Sequence, residues 1–197
     1  MTPAIAVRTI ATFTLILIGN CILSSFAAAD VIRDKSPDGK FALRLTQEDE
    51  GWAAAIIDLK SKKDVVTLEI YQNFTEDAHL LWSKDSQRVA YFEPDRRGGS
   101  TTVYFRKGSA FEEVSLPYND FPACEEKPAE NDSGDKYLKG IEATVKPEKW
   151  LRSGELVLSQ HSESEMESGA TRDCSQTITI AFGLDHKASV KSAKQHD

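Results

Sequence analysis

Hydrophobic and polar positions alternate along most of this chain. Phe41, Leu43 and Leu45 are separated by Ala42, Arg44 and Thr46, a period of two that predicts a strand with one buried face. Residues 52–59 (WAAAIIDL) and 64–70 (DVVTLEI) are further apolar runs divided by the polar turn Lys60-Ser61-Lys62-Lys63. With Val31-Ile32-Arg33 ahead of them, they predict four short strands joined by turns. The order then recurs. Residues 78–82, 88–92, 101–106 and 111–116 predict a second set, and residues 141–150, 155–160, 175–183 and 188–193 a third. The turns recur with them: Ser36-Pro37-Asp38-Gly39, then Ser83-Lys84-Asp85-Ser86, then Leu151-Arg152-Ser153-Gly154. Pro37 presets φ for a first corner and Gly39 can take φ > 0, so SPDG marks a hairpin rather than a ligand site. Trp82 of the second set aligns with Trp150 of the third. The expected fold class is all-β, with three consecutive four-stranded antiparallel meander units at about 30–71, 78–117 and 140–195 in a single domain, 30–197.

The stretches KSPDGKFAL and WSKDSQRVAYF resemble the WD-like, TolB-like β-propeller repeat, in which a W-S-P-D-G-K turn joins two strands of each blade. The resemblance implies a partial β-propeller; a β-sandwich is the alternative. It also implies a scaffold without catalytic residues. Departures are Lys35 in the Trp position, Lys84 and Ser86 in the second turn, and a third turn that keeps only Trp150 and Gly154. Propellers have about four to eight blades. Three units therefore imply a ring closed by a homodimer, an open stack, or merger into a sandwich.

Residues 1–29 follow a different pattern. Arg8 precedes an uncharged apolar run, Ile10 to Leu23, and Ala27-Ala28-Ala29 precedes Asp30. That order predicts a cleaved signal peptide, the run being about 14 residues where a spanning helix needs about 20. The expected location is the periplasm or the cell exterior, with no stable membrane span after cleavage. Cys21 departs with the signal, leaving Cys124 and Cys174, and an even pair in an oxidising compartment predicts a disulfide.

The net charge of −7 argues against nucleic acid as a partner, because phosphate contacts need basic surface. Meander parity sends the segments 46–51, 71–77, 93–100, 117–140 and 161–173 to one end as the long connections. They carry many of the acids, among them Glu48, Asp49, Glu50, Glu76, Asp77, Asp95, Glu163, Glu165 and Glu167. Variable connections on a rigid scaffold are where binding concentrates. The candidate binding residues are Asp95, Arg96, Arg97, Glu125, Glu126 and His161. Gly98-Gly99-Ser100 reads as part of a hairpin turn.

No H-x-x-x-H, H-E-x-x-H or G-x-S-x-G spacing occurs, so no catalytic residue, metal or cofactor is assigned. The expected function is a non-catalytic binding or interaction module that uses this acidic face toward a protein or peptide. The alternative is a small periplasmic hydrolase or lyase whose site combines Asp95, Arg96 and His161.

Overall fold

A computed structural model describes residues 30–71, 74–122 and 136–196. Among the described residues the fold is all-β apart from one 3₁₀ turn at Tyr118–Asp120. Its strands are β1 (Val31–Arg33), β2 (Phe41–Glu48), β3 (Gly51–Asp58), β4 (Asp64–Leu68), β5 (His79–Trp82), β6 (Arg88–Asp95), β7 (Gly98–Lys107), β8 (Ala110–Val114), β9 (Tyr137–Trp150), β10 (Leu156–Met166), β11 (Thr171–Phe182) and β12 (Ala188–His196). Among the described residues no helix is long and apolar enough to cross a membrane.

The first four strands form one sheet in chain order, β1-β2-β3-β4. The other eight form a single mixed sheet, β12-β11-β10-β9-β7-β6-β5, with β8 also on β7. This corrects the expected three separate four-stranded units, and with them the propeller reading: no ring closes among the described residues.

The reason lies on one edge of β7. Strand β8 covers only Val103 to Lys107 of that edge, and β9 takes the remainder in parallel, pairing Gly98 with Ala143 and Gly99 with Thr144. Arg97 O accepts from Ala143 N at 2.7 Å, and the Thr101 hydroxyl donates to Val145 O at 2.6 Å. Strand β9 can come this close because Gly98 has no side chain. A Cβ there would stand 2.1 Å from Ala143 O, on a backbone already at φ +121°. The glycine pair thus serves the seam as well as the turn.

Two apolar clusters lie on opposite faces of β5–β8. On one face Leu80, Val89, Tyr91 and Tyr104 meet Phe41, Leu43, Leu45, Ile56 and Leu68 of the smaller sheet. On the other, Ala90, Val103, Phe105 and Val114 meet Val145, Leu156, Leu158, Ile178 and Ile180. Burial on both sides explains why β6 carries the unbroken run Val89-Ala90-Tyr91-Phe92 where one-sided strands alternate. Tyr91 is 1% exposed, and its hydroxyl donates to Glu69 O at 2.6 Å, so the buried oxygen is satisfied. Burial pushes that phenol well above its usual range.

The three recurring turns are built alike. Ser36, Ser83 and Leu151 donate their N–H groups to Phe41 O, Arg88 O and Glu155 O at 2.9, 2.9 and 2.8 Å. Gly39, Ser86 and Gly154 then take φ values of 68°, 59° and 89°. In the first two, a serine hydroxyl donates to the aspartate two residues on, at 2.7 Å for Ser36–Asp38 and 2.6 Å for Ser83–Asp85. The indoles repeat as well. Trp82 Nε1 donates to Asp34 O at 2.7 Å, and Trp150 Nε1 to Leu81 O at 2.9 Å. Each acceptor is the residue just before the Trp position of the preceding set, so alignment of Trp82 with Trp150 is a packing equivalence.

Three expected long connections are not loops. The segments 46–51, 93–100 and 161–173 are strand ends closed by tight turns, with β10 and β11 paired from Leu156–Ile180 out to Glu165–Thr171. The described residues contain no complete disulfide. Cys174 is 3% exposed on β11 and is disulfide-bonded, while Cys124, its expected partner, lies outside the described residues.

Candidate functional site

The β6–β7 turn and the connection after β4 meet at one end of the molecule. Tyr71, Glu93, Asp95, Arg96, Arg97 and Ser100 line a recess of about 390 Å³ there. Each wall has a local cause. Asp95 Oδ1 accepts from Arg97 N at 2.5 Å, a short side-chain-to-backbone bond of the kind that fixes a turn. The bond from Ala143 N to Arg97 O anchors the turn to the seam. The Arg96 guanidinium lies 5.8 Å from the centre of the Tyr71 ring, and Tyr71 stands 6.1 Å from Phe74. Behind them Arg33 donates to the carbonyls of Thr75, Glu76 and Ala78, tying the connection to β1.

Tyr71 is 41% exposed, a large aromatic left open beside charged groups. Glu93 is the electrostatically unusual member. Burial pushes its carboxyl up, and the negative charges of Glu69 and Asp95 push it further. The recess therefore sets two acids, Glu93 and Asp95, and two arginines, Arg96 and Arg97, around an aromatic face, with Glu69 adding negative charge behind Glu93.

The candidate residues read from the sequence divide three ways. Asp95, Arg96 and Arg97 come together here. Glu125 and Glu126 lie outside the described residues. His161 sits within β10, paired with Thr144 of β9 and Ser175 of β11, and its Nδ1 is 3.0 Å from Ser175 Oγ. Between Asp95 and β10 run β7 and β9, through the register Asp95–Gly98–Ala143–Ser162. Three strand spacings of about 4.8 Å amount to roughly 14 Å along the sheet. Asp95 and His161 do not form the acid–base pair of the hydrolase reading.

Tyr71 and Glu93 were not singled out by the sequence. Meander parity could have found Tyr71, which opens the 71–77 connection. Asp95, two residues on, was the local signal for Glu93; its burial and the charge of Glu69 come from packing that the sequence does not display. Among the described residues no group of His, Cys, Asp and Glu is placed to hold a metal ion.

No protein-family model matches the chain, and no curated protein matches it. Among solved structures it is similar to TolB from Acinetobacter baumannii, at 9% identity and a TM-score of 0.32, over 84% of this chain and 41% of that one. The chain thus spans about two fifths of that structure's length, and a likeness this slight carries no argument about fold or function.

Proposed function

We propose that this is a non-catalytic binding protein of the periplasm or cell exterior, which engages a basic segment of a protein or peptide at the Tyr71 end. One observation carries the reading: the half-exposed ring of Tyr71 stands beside Glu93 and Asp95, and burial, Glu69 and Asp95 push the Glu93 carboxyl up. A lysine or arginine entering this recess would relieve the repulsion between Glu93 and Asp95, and would displace Arg96 where it lies against the ring. Asp49, Glu50 and Glu167 in the β2–β3 and β10–β11 turns, with Glu48 and Glu163 on the strands leading into them, add a field that would draw a cation in, whereas Glu165 is already paired with Lys139 at 2.9 Å. Export rests on the signal-like pattern of residues 1–29. The separation of Asp95 from His161 counts against the hydrolase alternative.

Titration with tetralysine, followed by calorimetry, tests the proposal. Binding is expected at low salt, weakening as salt screens the charges and dropping about tenfold in a Glu93→Gln, Asp95→Asn double variant. Equal affinity in the variant would remove this recess as the site.

Glu93 also sets a pH dependence. The folded chain holds its proton more tightly than the unfolded chain, so ionising Glu93 costs stability. That cost is absent at acid pH and grows as pH rises through the carboxyl range. Glu93→Gln is expected to stabilise the protein at neutral pH by about 0.5 kcal/mol or less after solvent screening. It should leave stability unchanged below about pH 3, where the carboxyl is protonated in both states. Urea unfolding at the two pH values measures the difference.

A further inference from the structure

At the opposite end of the molecule the short turns enclose a second recess, also of about 390 Å³, between β6–β7 and the β11–β12 turn. That volume falls within the lower range of small-ligand pockets. Its chemistry differs from that of the Tyr71 end, and nothing in the proposed function uses it.

Arg88 lies at its centre. The guanidinium carbon is 5.5 Å from the Phe105 ring centre and 5.9 Å from that of Trp150, and Nη1 donates to Gly154 O at 2.6 Å. Gly154 makes room for it, since a Cβ there would stand 2.0 Å from Nη1. The guanidinium is thus fixed in place before any ligand arrives, which lowers the ordering cost of binding. One N–H is committed to Gly154, and among the described residues no carboxylate forms a salt bridge with Arg88. Its charge is felt by Asp85, whose carboxyl is lowered chiefly by the Ser83 hydroxyl and further by Arg88. The other charges at the rim are matched: Arg106 pairs with Asp38 at 2.9 Å, and Glu155 with Lys191. Of Arg88, Arg106 and Glu155, which line the recess, Arg88 alone has no salt bridge among the described residues.

The second observation is an aromatic wall. His186 holds the β11–β12 turn at φ 63°, as Asp34, Lys62 and Ser86 hold positive φ in other turns. The His186 ring lies 4.8 Å from that of Phe105 and walls the recess. Phe182 packs on Phe105 at 5.0 Å, and Leu184, fully exposed at the turn tip, stands at the mouth.

We propose that this recess binds the C-terminal carboxylate of a peptide that ends in an apolar residue. Arg88 offers paired N–H donors that match a carboxylate, while Phe105, Phe182 and Leu184 offer apolar surface within the same small volume. One terminal residue carries both groups; an acidic side chain next to a separate apolar residue would need more room.

The test uses the full chain labelled with ¹⁵N and three probes: N-acetyl-L-leucine, N-acetyl-L-leucinamide and inorganic phosphate. Saturable shifts of the Gly154, Leu184 and His186 amides are expected with N-acetyl-L-leucine, and about tenfold weaker ones with the amide. Leu184→Ser, at an exposed position that does not threaten folding, should weaken binding a few-fold, and Arg88→Lys about tenfold. Equal affinity for acid and amide would overturn the carboxylate role. Phosphate binding as tight as N-acetyl-L-leucine would reduce the recess to a general anion site and overturn the apolar half. Saturation without shifts at these residues would overturn the site altogether, whatever happens at Tyr71.

Discussion

Gly98→Ala is expected to destabilise the protein by roughly 2–4 kcal/mol, the range for a strained backbone position combined with a backbone clash. The new methyl group would meet Ala143 O at 2.1 Å and Thr144 Oγ1 at 2.5 Å, and φ +121° admits no relaxed alanine. The nearest neighbour, Ala143 O, is backbone held in the β7–β9 pairing and cannot swing aside as a side chain would. Strand β9 must therefore withdraw, breaking the bond from Ala143 N to Arg97 O and the contact of Thr101 with Val145 O. Hydrogen exchange should show the Ala143 amide losing protection before the amides of β10 and β11. Gly39→Ala is the control, with φ +68° but nothing within 4 Å of the added carbon. It should cost only about 1 kcal/mol. Similar losses at both positions would mean that the seam contributes little and that local backbone strain accounts for the effect.

That seam also marks the limit of what the sequence discloses. Strands announce themselves through side-chain period, and Phe41, Leu43 and Leu45 on β2 or Ile178 and Ile180 on β11 do so because one face meets a core. A joint between two backbones through glycine has no side-chain period to read. Gly98-Gly99 looks like turn chemistry, and the neighbouring turn is real, so the parallel contact with β9 stays hidden behind a correct local reading. The consequence is large. Two meanders that pair in chain order as expected become one eight-stranded sheet, and the picture of separate repeating blades no longer holds.

The polar ends of β10 and β11 were missed for a different reason. Residues 162–165 alternate serine and glutamate before Met166, which reads as a solvated loop because neither face is apolar. In the structure the ladder supplies the backbone bonds, and the inward positions are satisfied by polar partners. Gln176, 3% exposed, donates to Pro122 O at 2.9 Å and to Gln160 Oε1 at 2.8 Å. His161 accordingly moved from an expected loop to mid-strand, away from Asp95. The Tyr71 recess was half legible: Asp95, Arg96 and Arg97 share a turn, with Glu93 two residues ahead of it on β6, whereas Tyr71 joins them only through the packing of β4's continuation on β6–β7.

Trp82 and Trp150 were legible as a repeat, and the structure gives that repeat an energetic content. Each indole donates to the carbonyl just before the preceding Trp position, so Trp82→Phe and Trp150→Phe should cost similar amounts, about 1 kcal/mol for a net hydrogen bond lost from a half-buried site. Alanine should cost more, about 3 kcal/mol, because the ring contacts go as well. For Trp82 these are Phe41 at 6.2 Å and Phe111 at 5.8 Å; for Trp150 they are Phe182 at 5.7 Å and the guanidinium of Arg88 at 5.9 Å. The two alanine variants should then differ in a way that the phenylalanine variants do not. Trp82→Ala loosens the smaller sheet from β5, whereas Trp150→Ala also frees Arg88 and should abolish binding of N-acetyl-L-leucine. Urea unfolding of all four variants separates the contributions. If Trp150→Phe proved neutral while Trp82→Phe lost a full hydrogen bond, the equivalence of the two contacts would fail, and the alignment of Trp82 with Trp150 would be a likeness of sequence without a likeness of packing.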